Sequence, residues 1–214
     1  MTDRPILFSA PMVRALLAGT KTQTRRVIST KPSRKVNLFD GTWSESYVLD
    51  PGNQTWRDQA YPWRVGDKLY VREAWRTESR AYDDLAPSVM DADYPVIYEA
   101  DADWSLNKSV GRLRPGMHMP RWASRLTLTV SDIRVQRLQE INDEDAVAEG
   151  VDQNGAVAGQ DVDIDGGWWP GGPRNQYSRL WNGLNEPRGF GWDVDPWVVA
   201  VSFAVDQRNI DEPR

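Results

Sequence analysis

The sequence predicts an α+β domain built around a barrel of five or six mixed strands with a few short helices. Strand-like and helix-like segments follow one another in mixed order along 214 residues. Residues 124–138 alternate apolar and polar side chains, which is the period of a strand. Hydrophobic residues make up 40% of the chain, enough for the core of a single decorated domain over residues 1–214.

The N-terminal elements are predicted from capping and breaking residues. Residues 5–8 form a short apolar run that is typical of a strand. Ser9 suits the N-cap of a helix, Pro11 fits its first turn, and Gly19 suits the position after its end. Residues 21–28 contain Thr, Val and Ile, so this segment is predicted to pass from loop into strand.

The remaining elements follow from the same signals. Strands are predicted at 68–72, 94–98, 124–138 and 197–205, and helices at 142–149 and 173–184. Asn142 would cap the first of these helices and Gly150 would close it. A turn at Ser131 and Asp132 shifts the apolar alternation of the long strand and implies a bulge or a hairpin. Three polar stretches are predicted loop insertions, at 30–64, 77–93 and 152–172.

Composition excludes several classes of protein. With no cysteine and a single histidine, His118, the chain has no disulfide scaffold, and we expect no metal and no cofactor. No apolar run approaches the roughly 20 residues that span a bilayer, and the N-terminus lacks the pattern of a secretory signal. We therefore expect a cytoplasmic protein without a membrane partner, and leave its oligomeric state open.

Charge is segregated along the chain despite a net charge of −5. Residues 1–35 carry a net +7 and residues 112–137 a net +5, whereas 83–103 and 143–165 contain acids and no Lys or Arg. Such segregation predicts a cationic cleft suited to phosphates beside acidic loops. The alternative is that each run is simply a solvated face.

The segment 19–26, Gly-Thr-Lys-Thr-Gln-Thr-Arg-Arg, carries the chemistry that we consider first. Burial and the neighbouring cations Arg25 and Arg26 would lower the pKa of Lys21, so that this amine could act as a base. A base could activate the hydroxyl of Thr24 as a nucleophile. Residues three apart on a strand face opposite sides, so this pairing requires the loop to persist to about Thr22. The alternative is a solvated lysine beside an ordinary strand threonine.

This segment also resembles a known family. Gly19, Lys21 and Arg26 match the G-x-K-x-x-x-x-R signature of ASCH domains, which are relatives of the PUA RNA-binding fold. Residues 66–75, 118–125 and 146–150 resemble further stretches of ASCH proteins from phages and prophages, in the same order. The resemblance implies a PUA-like (ASCH) β-barrel and extends over most of the chain, least over the two early insertions.

The resemblance also implies an activity. One branch of small bacterial ASCH proteins consists of amidohydrolases that act on N4-acetylcytidine through a Lys, a Thr and a Glu. Lys21 and Thr24 fall on the first two positions, and Glu149 is the best match to the third. Thr24 would attack the acyl carbon, Lys21 would take its proton, and Glu149 would pass protons to the leaving amine. This chain is about twice the expected size of that branch.

Eight further residues are candidates for substrate binding through charge or ring stacking. They are Arg25, Arg26, Arg72, Glu73, Trp75, His118, Arg121 and Trp122. The alternatives are an Arg–Glu surface pair beside a core Trp75, and a structural His118.

Three functions remain open at this stage. The first is an amidohydrolase that deacylates an N4-acylated cytidine-type nucleoside. The second is a reader of RNA, single-stranded nucleic acid or modified bases that carries out no reaction. The third is a ribonuclease.

Overall fold

A computed structural model describes residues 3–28, 50, 61–101, 109–151 and 171–212, together with the backbone of 162–164 and 167–169. These residues form an α+β protein. The predicted insertions at 30–64 and 152–172 lie largely outside the described residues. The predicted insertion at 77–93 is described, and it consists of turns and two short 3-10 helices.

The predicted helices and strands are present, but strands at 75–77, 162–164 and 167–169 are additional to the prediction, and the last two lie within the predicted loop at 152–172. The strands are β1 (Asp3–Leu7), β2 (Gln23–Val27), β3 (Lys68–Arg72), β4 (Trp75–Thr77), β5 (Val96–Tyr98), β6 (Thr127–Arg137), β7 (Val162–Ile164), β8 (Gly167–Trp169) and β9 (Trp197–Asp206). The α-helices are α1 (Ala10–Leu17), α2 (Asp143–Ala148) and α3 (Pro173–Asn185). Short 3-10 helices lie at Arg80–Tyr82, Pro87–Val89, Gly116–His118, Arg121–Ala123, Leu138–Glu140, Glu186–Arg188 and Trp192–Val194.

The largest sheet has the strand order β1–β3–β6–β9–β2, and the pairs β4–β5 and β7–β8 form two further sheets. The order is linear, and the described strands form no closed barrel. β6 is one continuous strand, so the hairpin that we considered at 131–132 is wrong. Ser131 and Asp132 are both exposed, and the alternation of buried positions shifts between them.

The chain divides into two compact units. Unit 1 comprises Met1–Thr20, Gly66–Val130 and Phe203–Arg214. Within it β1 pairs in parallel with β3, and β3 pairs antiparallel with the start of β6. β4 and β5 pair antiparallel, and Trp75, Met90, Met119 and Ala123 form a buried cluster beside them. The predicted N-cap Ser9 and the left-handed Gly19 (φ 72°) bound α1 as expected.

Unit 2 comprises Lys21–Val65 and Ser131–Ser202. Within it β2 pairs antiparallel with β9, with Thr24 opposite Val201. The Asn142 side chain accepts a hydrogen bond from the Asp145 N–H, and Gly150 (φ 92°) follows α2, so both helix signals are confirmed. Helices α2 and α3 share a core cluster formed by Leu138, Ile141, Ala146, Val151, Tyr177, Trp181 and Val198. This core supports the face on which the candidate site lies.

Candidate functional site

The centre of the site is a short backbone ladder in unit 2. Lys21 and Glu149 form an isolated antiparallel bridge, and the Thr22 N–H donates to the Ala148 carbonyl at 2.8 Å. The Lys21 amine donates to the Glu149 carbonyl and to Glu149 Oε2, both at 2.8 Å. The segment after α1 and the end of α2 therefore meet directly, although 128 residues separate the two side chains.

A second cation completes the surroundings of the Glu149 carboxylate. Arg25 Nη1 donates to Glu149 Oε1 at 3.3 Å, and Arg25 Nη2 donates to Asp145 Oδ2 at 2.6 Å. The Tyr177 hydroxyl donates to Glu149 Oε1 at 3.4 Å, and the Arg25 guanidinium lies 5.9 Å from the centre of the Tyr177 ring. We name Lys21, Arg25, Asp145, Glu149 and Tyr177 the Glu149 cluster.

The Glu149 cluster is almost sealed from solvent. The side chains of Lys21, Arg25 and Glu149 are 1%, 0% and 5% exposed. Because a buried ion is costly unless it is paired, each of the three needs the others. Asp145 is the outermost member, and it also accepts hydrogen bonds from Gln23 and from Arg134.

Burial changes the acid–base properties of the cluster. It lowers the pKa of Lys21, the charges of Arg26 and Arg25 lower it further, and the Glu149 carboxylate acts in the opposite direction. Burial and the charge of Glu149 raise the pKa of Tyr177. Partial burial alone would raise the pKa of Asp145, but the hydrogen bond from Arg134 and the charge of Arg25 hold it below its usual value. A lysine with a lowered pKa beside a carboxylate is suited to accept and pass on a proton.

Thr24 lies next to this cluster without joining it. β2 begins at Gln23, but Lys21 already forms a backbone bridge with Glu149. The side chains of Lys21, Gln23 and Arg25 all lie on one side, so the alternation of a strand extends back to position 21, and the loop that the pairing of Lys21 with Thr24 required is absent. Gln23 and Arg25 turn their side chains to Asp145 and Glu149, and Thr24, between them, faces the other side of the strand. Thr24 is buried, and its hydroxyl makes no hydrogen bond with any other described residue.

The two neighbouring arginines differ from a substrate-binding pair on the surface. Arg25 is a buried partner of Glu149 and Asp145. Arg26 is partly buried, and burial lowers its pKa. The structure thus places Arg25 where it orients the Glu149 carboxylate.

The other sequence candidates belong to unit 1. Trp75 is 0% exposed and lies in the core cluster of that unit. Of the two interpretations of Trp75 in the sequence, the structure therefore agrees with a core tryptophan. Glu73 is also buried, and it pairs with Arg125 (2.9 and 3.1 Å) rather than with Arg72. Arg72 donates to the Met117 carbonyl at 3.3 Å and lies over the Tyr70 ring.

The three candidates in the loop at 118–122, His118, Arg121 and Trp122, have different surroundings. Arg121 donates to Asp211 and to Asp3 at 2.6 to 2.8 Å. Trp122 is partly buried against the core of unit 1, and His118 is exposed at the end of a 3-10 turn. His118 lies on the wall of a cavity.

The arginines of residues 112–137 do not form a row of unpaired cations. The side chains of Arg121, Arg125 and Arg134 contact carboxylates. Those of Arg114 and Arg137 donate to backbone carbonyls. Carboxylates therefore offset the charge of three of these arginines, Arg121, Arg125 and Arg134, so the segment does not present the continuous row of free cations that the charge pattern predicted.

Two members of the Glu149 cluster were not singled out from the sequence. Asp145 precedes Glu149 by four residues, the spacing that places two side chains on one helix face, and this signal could have identified it. Tyr177 carries no such signal, because it comes from α3 and its role depends on the packing of α3 against α2.

Among the described residues, no group of three or more His, Asp or Glu side chains is arranged to hold a metal ion. No helix within the described ranges is long and apolar enough to cross a membrane. No family model, curated protein or solved structure matches this chain.

Proposed function

We propose that this chain is an amidohydrolase of PUA-like ASCH type that removes the acyl group from an N4-acylated cytidine-type nucleoside without a metal. The observation that carries the proposal is the buried contact of 2.8 Å between the Lys21 amine and Glu149 Oε2. It joins the two residues that the ASCH resemblance assigns to proton transfer. The lowered pKa of Lys21 favours the neutral amine that a base must be.

The reaction balances with these groups and one water. The Thr24 oxygen bonds to the acyl carbon while Lys21 takes the hydroxyl proton, and the tetrahedral intermediate expels the N4 amine. Lys21 passes the proton to Glu149, which delivers it to the leaving nitrogen, so cytidine departs. Lys21 then takes a proton from water as the water oxygen bonds to the acyl carbon, and it returns this proton to the Thr24 oxygen when the ester bond breaks. The acid that is released loses the second water proton to solvent and departs as a carboxylate.

The proposal requires a contact that the structure leaves unmade. The Thr24 hydroxyl must come within hydrogen-bond distance of the Lys21 amine when substrate binds. Catalytic hydrogen bonds are often long in free enzymes and shorten in the substrate complex. Arg25, with Asp145 behind it, would meanwhile hold the Glu149 carboxylate in place.

The test is to incubate the protein with N4-acetylcytidine and measure the release of cytidine and acetate. Thr24→Val keeps the shape of the side chain without its hydroxyl, and Lys21→Arg keeps the positive charge without a usable base. Each is expected to lower kcat/KM by about 10²- to 10⁴-fold, the usual contribution of such groups. Thr22→Val is the matched control, since Thr22 is exposed in the same loop, and it should retain full activity.

Three results would contradict the proposed amidohydrolase activity or the proposed roles of Lys21 and Thr24. Hydrolysis that survives both Thr24→Val and Lys21→Arg would remove the proposed roles. Failure of the folded protein to deacetylate the nucleoside, together with RNA binding that weakens steeply with salt, would identify a nucleic-acid reader. Cleavage of RNA by the same preparation would identify a ribonuclease.

A further inference from the structure

A cavity of about 500 Å³ lies within unit 1 between segments 84–87 and 112–118. Its apolar walls come from Ala86, Pro87, Leu113 and Pro115. Its polar groups come from Asp84, Arg112, Arg114 and His118. Its volume and this mixture of apolar walls with a few polar groups are typical of small-molecule sites.

The walls of the cavity are held rigidly in place. The backbones of Arg114 and Trp75 exchange hydrogen bonds of 2.8 and 3.0 Å, which fix segment 112–118 to β4. The Arg114 guanidinium donates to the carbonyls of Tyr82 (2.7 Å) and Leu85 (2.9 Å), which fixes the opposite wall. Gly116 packs so closely that a Cβ there would lie 3.0 Å from the carbonyl carbon of Glu73. The site is therefore preformed.

Two arginines and one acid, Asp84, line the described walls of the cavity. Arg114 is 4% exposed and contacts no carboxylate among the described residues, and its Nε has no hydrogen-bond partner there. Arg112 is exposed, and its side chain has no partner in the described part of the chain. The Asp83 carboxylate accepts a hydrogen bond from the Arg112 backbone N–H at 2.7 Å; it keeps its charge but does not line the cavity.

The electrostatic surroundings of Arg114 also favour the binding of an anion. Burial lowers the pKa of Arg114, the charge of Arg112 lowers it further, and the Asp83 carboxylate acts in the opposite direction. A bound anion would relieve the repulsion between the two arginines. The planar fork of an arginine matches the two oxygens of a carboxylate or phosphate.

We propose that this cavity binds a small organic anion, with a carboxylate or phosphate at Arg112 and His118 and an apolar body against Pro87, Leu113 and Pro115. The site lies in unit 1 and uses none of the residues of the Glu149 cluster, so it does not depend on the proposed function.

Titration of the isotope-labelled full chain, followed by ¹H–¹⁵N NMR, tests the proposal. The probes are phenyl phosphate and benzoate, which carry both an anionic group and an aromatic ring. Benzyl alcohol, which has the ring but no charge, and inorganic phosphate, which has the charge but no ring, are the two controls. At least one organic anion should shift the amides of residues 112–118 and bind at least about 10-fold more tightly than benzyl alcohol and inorganic phosphate. The two anions together decide between phosphate and carboxylate.

Arg112→Ala should weaken the binding of that anion by about 10-fold, which corresponds to the loss of one charged hydrogen bond. Arg80→Ala is the matched control, because Arg80 is exposed in the same unit and does not line the cavity. Equal weakening by both variants would overturn the proposal. So would shifts confined to other residues, or binding of benzyl alcohol or of inorganic phosphate as tight as that of the organic anions.

Discussion

Each unit contains a buried glutamate that forms an ion pair with a basic side chain, and the two sites differ in which basic side chains these are. In unit 2 the Glu149 side chain is 5% exposed and contacts Lys21 and Arg25. In unit 1 the Glu73 side chain is 1% exposed and contacts Arg125, which also binds Asp101 at 2.5 and 2.8 Å and lies 3.9 Å from the centre of the Tyr98 ring. We name Glu73, Tyr98, Asp101 and Arg125 the Glu73 cluster.

The difference lies in the depth and the chemistry of the cation. Lys21 is 1% exposed and burial lowers its pKa, whereas Arg125 is 22% exposed and two carboxylates raise its pKa against the effect of burial. A guanidinium keeps its proton in proteins, but a buried ammonium can release one. The Glu149 cluster is therefore suited to proton transfer, and the Glu73 cluster is suited to holding segments 73, 98–101 and 125 together.

The largest expected effect is on the free energy of unfolding, which Glu149→Gln should lower more than Glu73→Gln does. Removal of the Glu149 charge leaves Lys21 and Arg25 buried side by side, so the free energy of unfolding should fall by about 3–5 kcal/mol. Removal of the Glu73 charge leaves Arg125 with Asp101 and partly in solvent, so the loss should be about 1–2 kcal/mol. Urea denaturation at neutral pH measures both, and equal losses would contradict the comparison.

The next effect is a pH dependence of opposite sign in the two clusters. Between the lowered pKa of Lys21 and its ordinary 10.5, the unfolded chain holds a proton that the folded chain lacks, so stability rises with pH. Between the ordinary 4.5 of Glu73 and its value raised by burial, the folded chain holds the extra proton, so stability falls as pH rises. Each slope is at most about 1.4 kcal/mol per pH unit.

Denaturation across the pH range measures these slopes. Lys21→Met should abolish the rise in its window and leave the acid window unchanged. Glu73→Gln should do the converse. Slopes that persist in both variants would show that other groups cause them.

The smallest effect is expected at an exposed network in unit 1. Arg121 binds Asp3 and Asp211 with short hydrogen bonds, but the three side chains are 37%, 38% and 58% exposed. Surface ion pairs contribute about 0–1 kcal/mol, so Arg121→Ala should lower the free energy of unfolding by no more than about 1 kcal/mol. A loss as large as that of Glu73→Gln would mean that burial does not set the scale of these ion pairs.

Local patterns predicted much of the fold. Ser9 and Gly19 marked the two ends of α1, and Asn142 and Gly150 marked those of α2. The strands were found because alternation and β-branched residues act over a few neighbours. The shift in alternation at 131–132 predicts a bulge or a hairpin, and the structure has no hairpin there, because such a shift looks the same in sequence whether the strand turns back or continues.

The candidate site was predicted in part. The sequence motifs selected Lys21 and Glu149, and the structure places them in contact. Trp75 and Glu73 are candidates for substrate binding in the sequence, but both are buried in the structure. Burial of an aromatic residue at the end of a strand depends on what packs over it, here Met90, Met119 and Ala123 from later segments.

The sequence by itself determined where the three helices and most of the strands of the large sheet lie, that no thiol is present, and that a lysine lies in the short segment before β2. Only the tertiary structure decided which charges meet: Glu149 with Lys21 and Arg25, and Glu73 with Arg125. The physical reason is range. Capping and alternation act between residues close in sequence, whereas an ion pair between residues 52 or 128 positions apart forms only where packing brings the two segments together and excludes water.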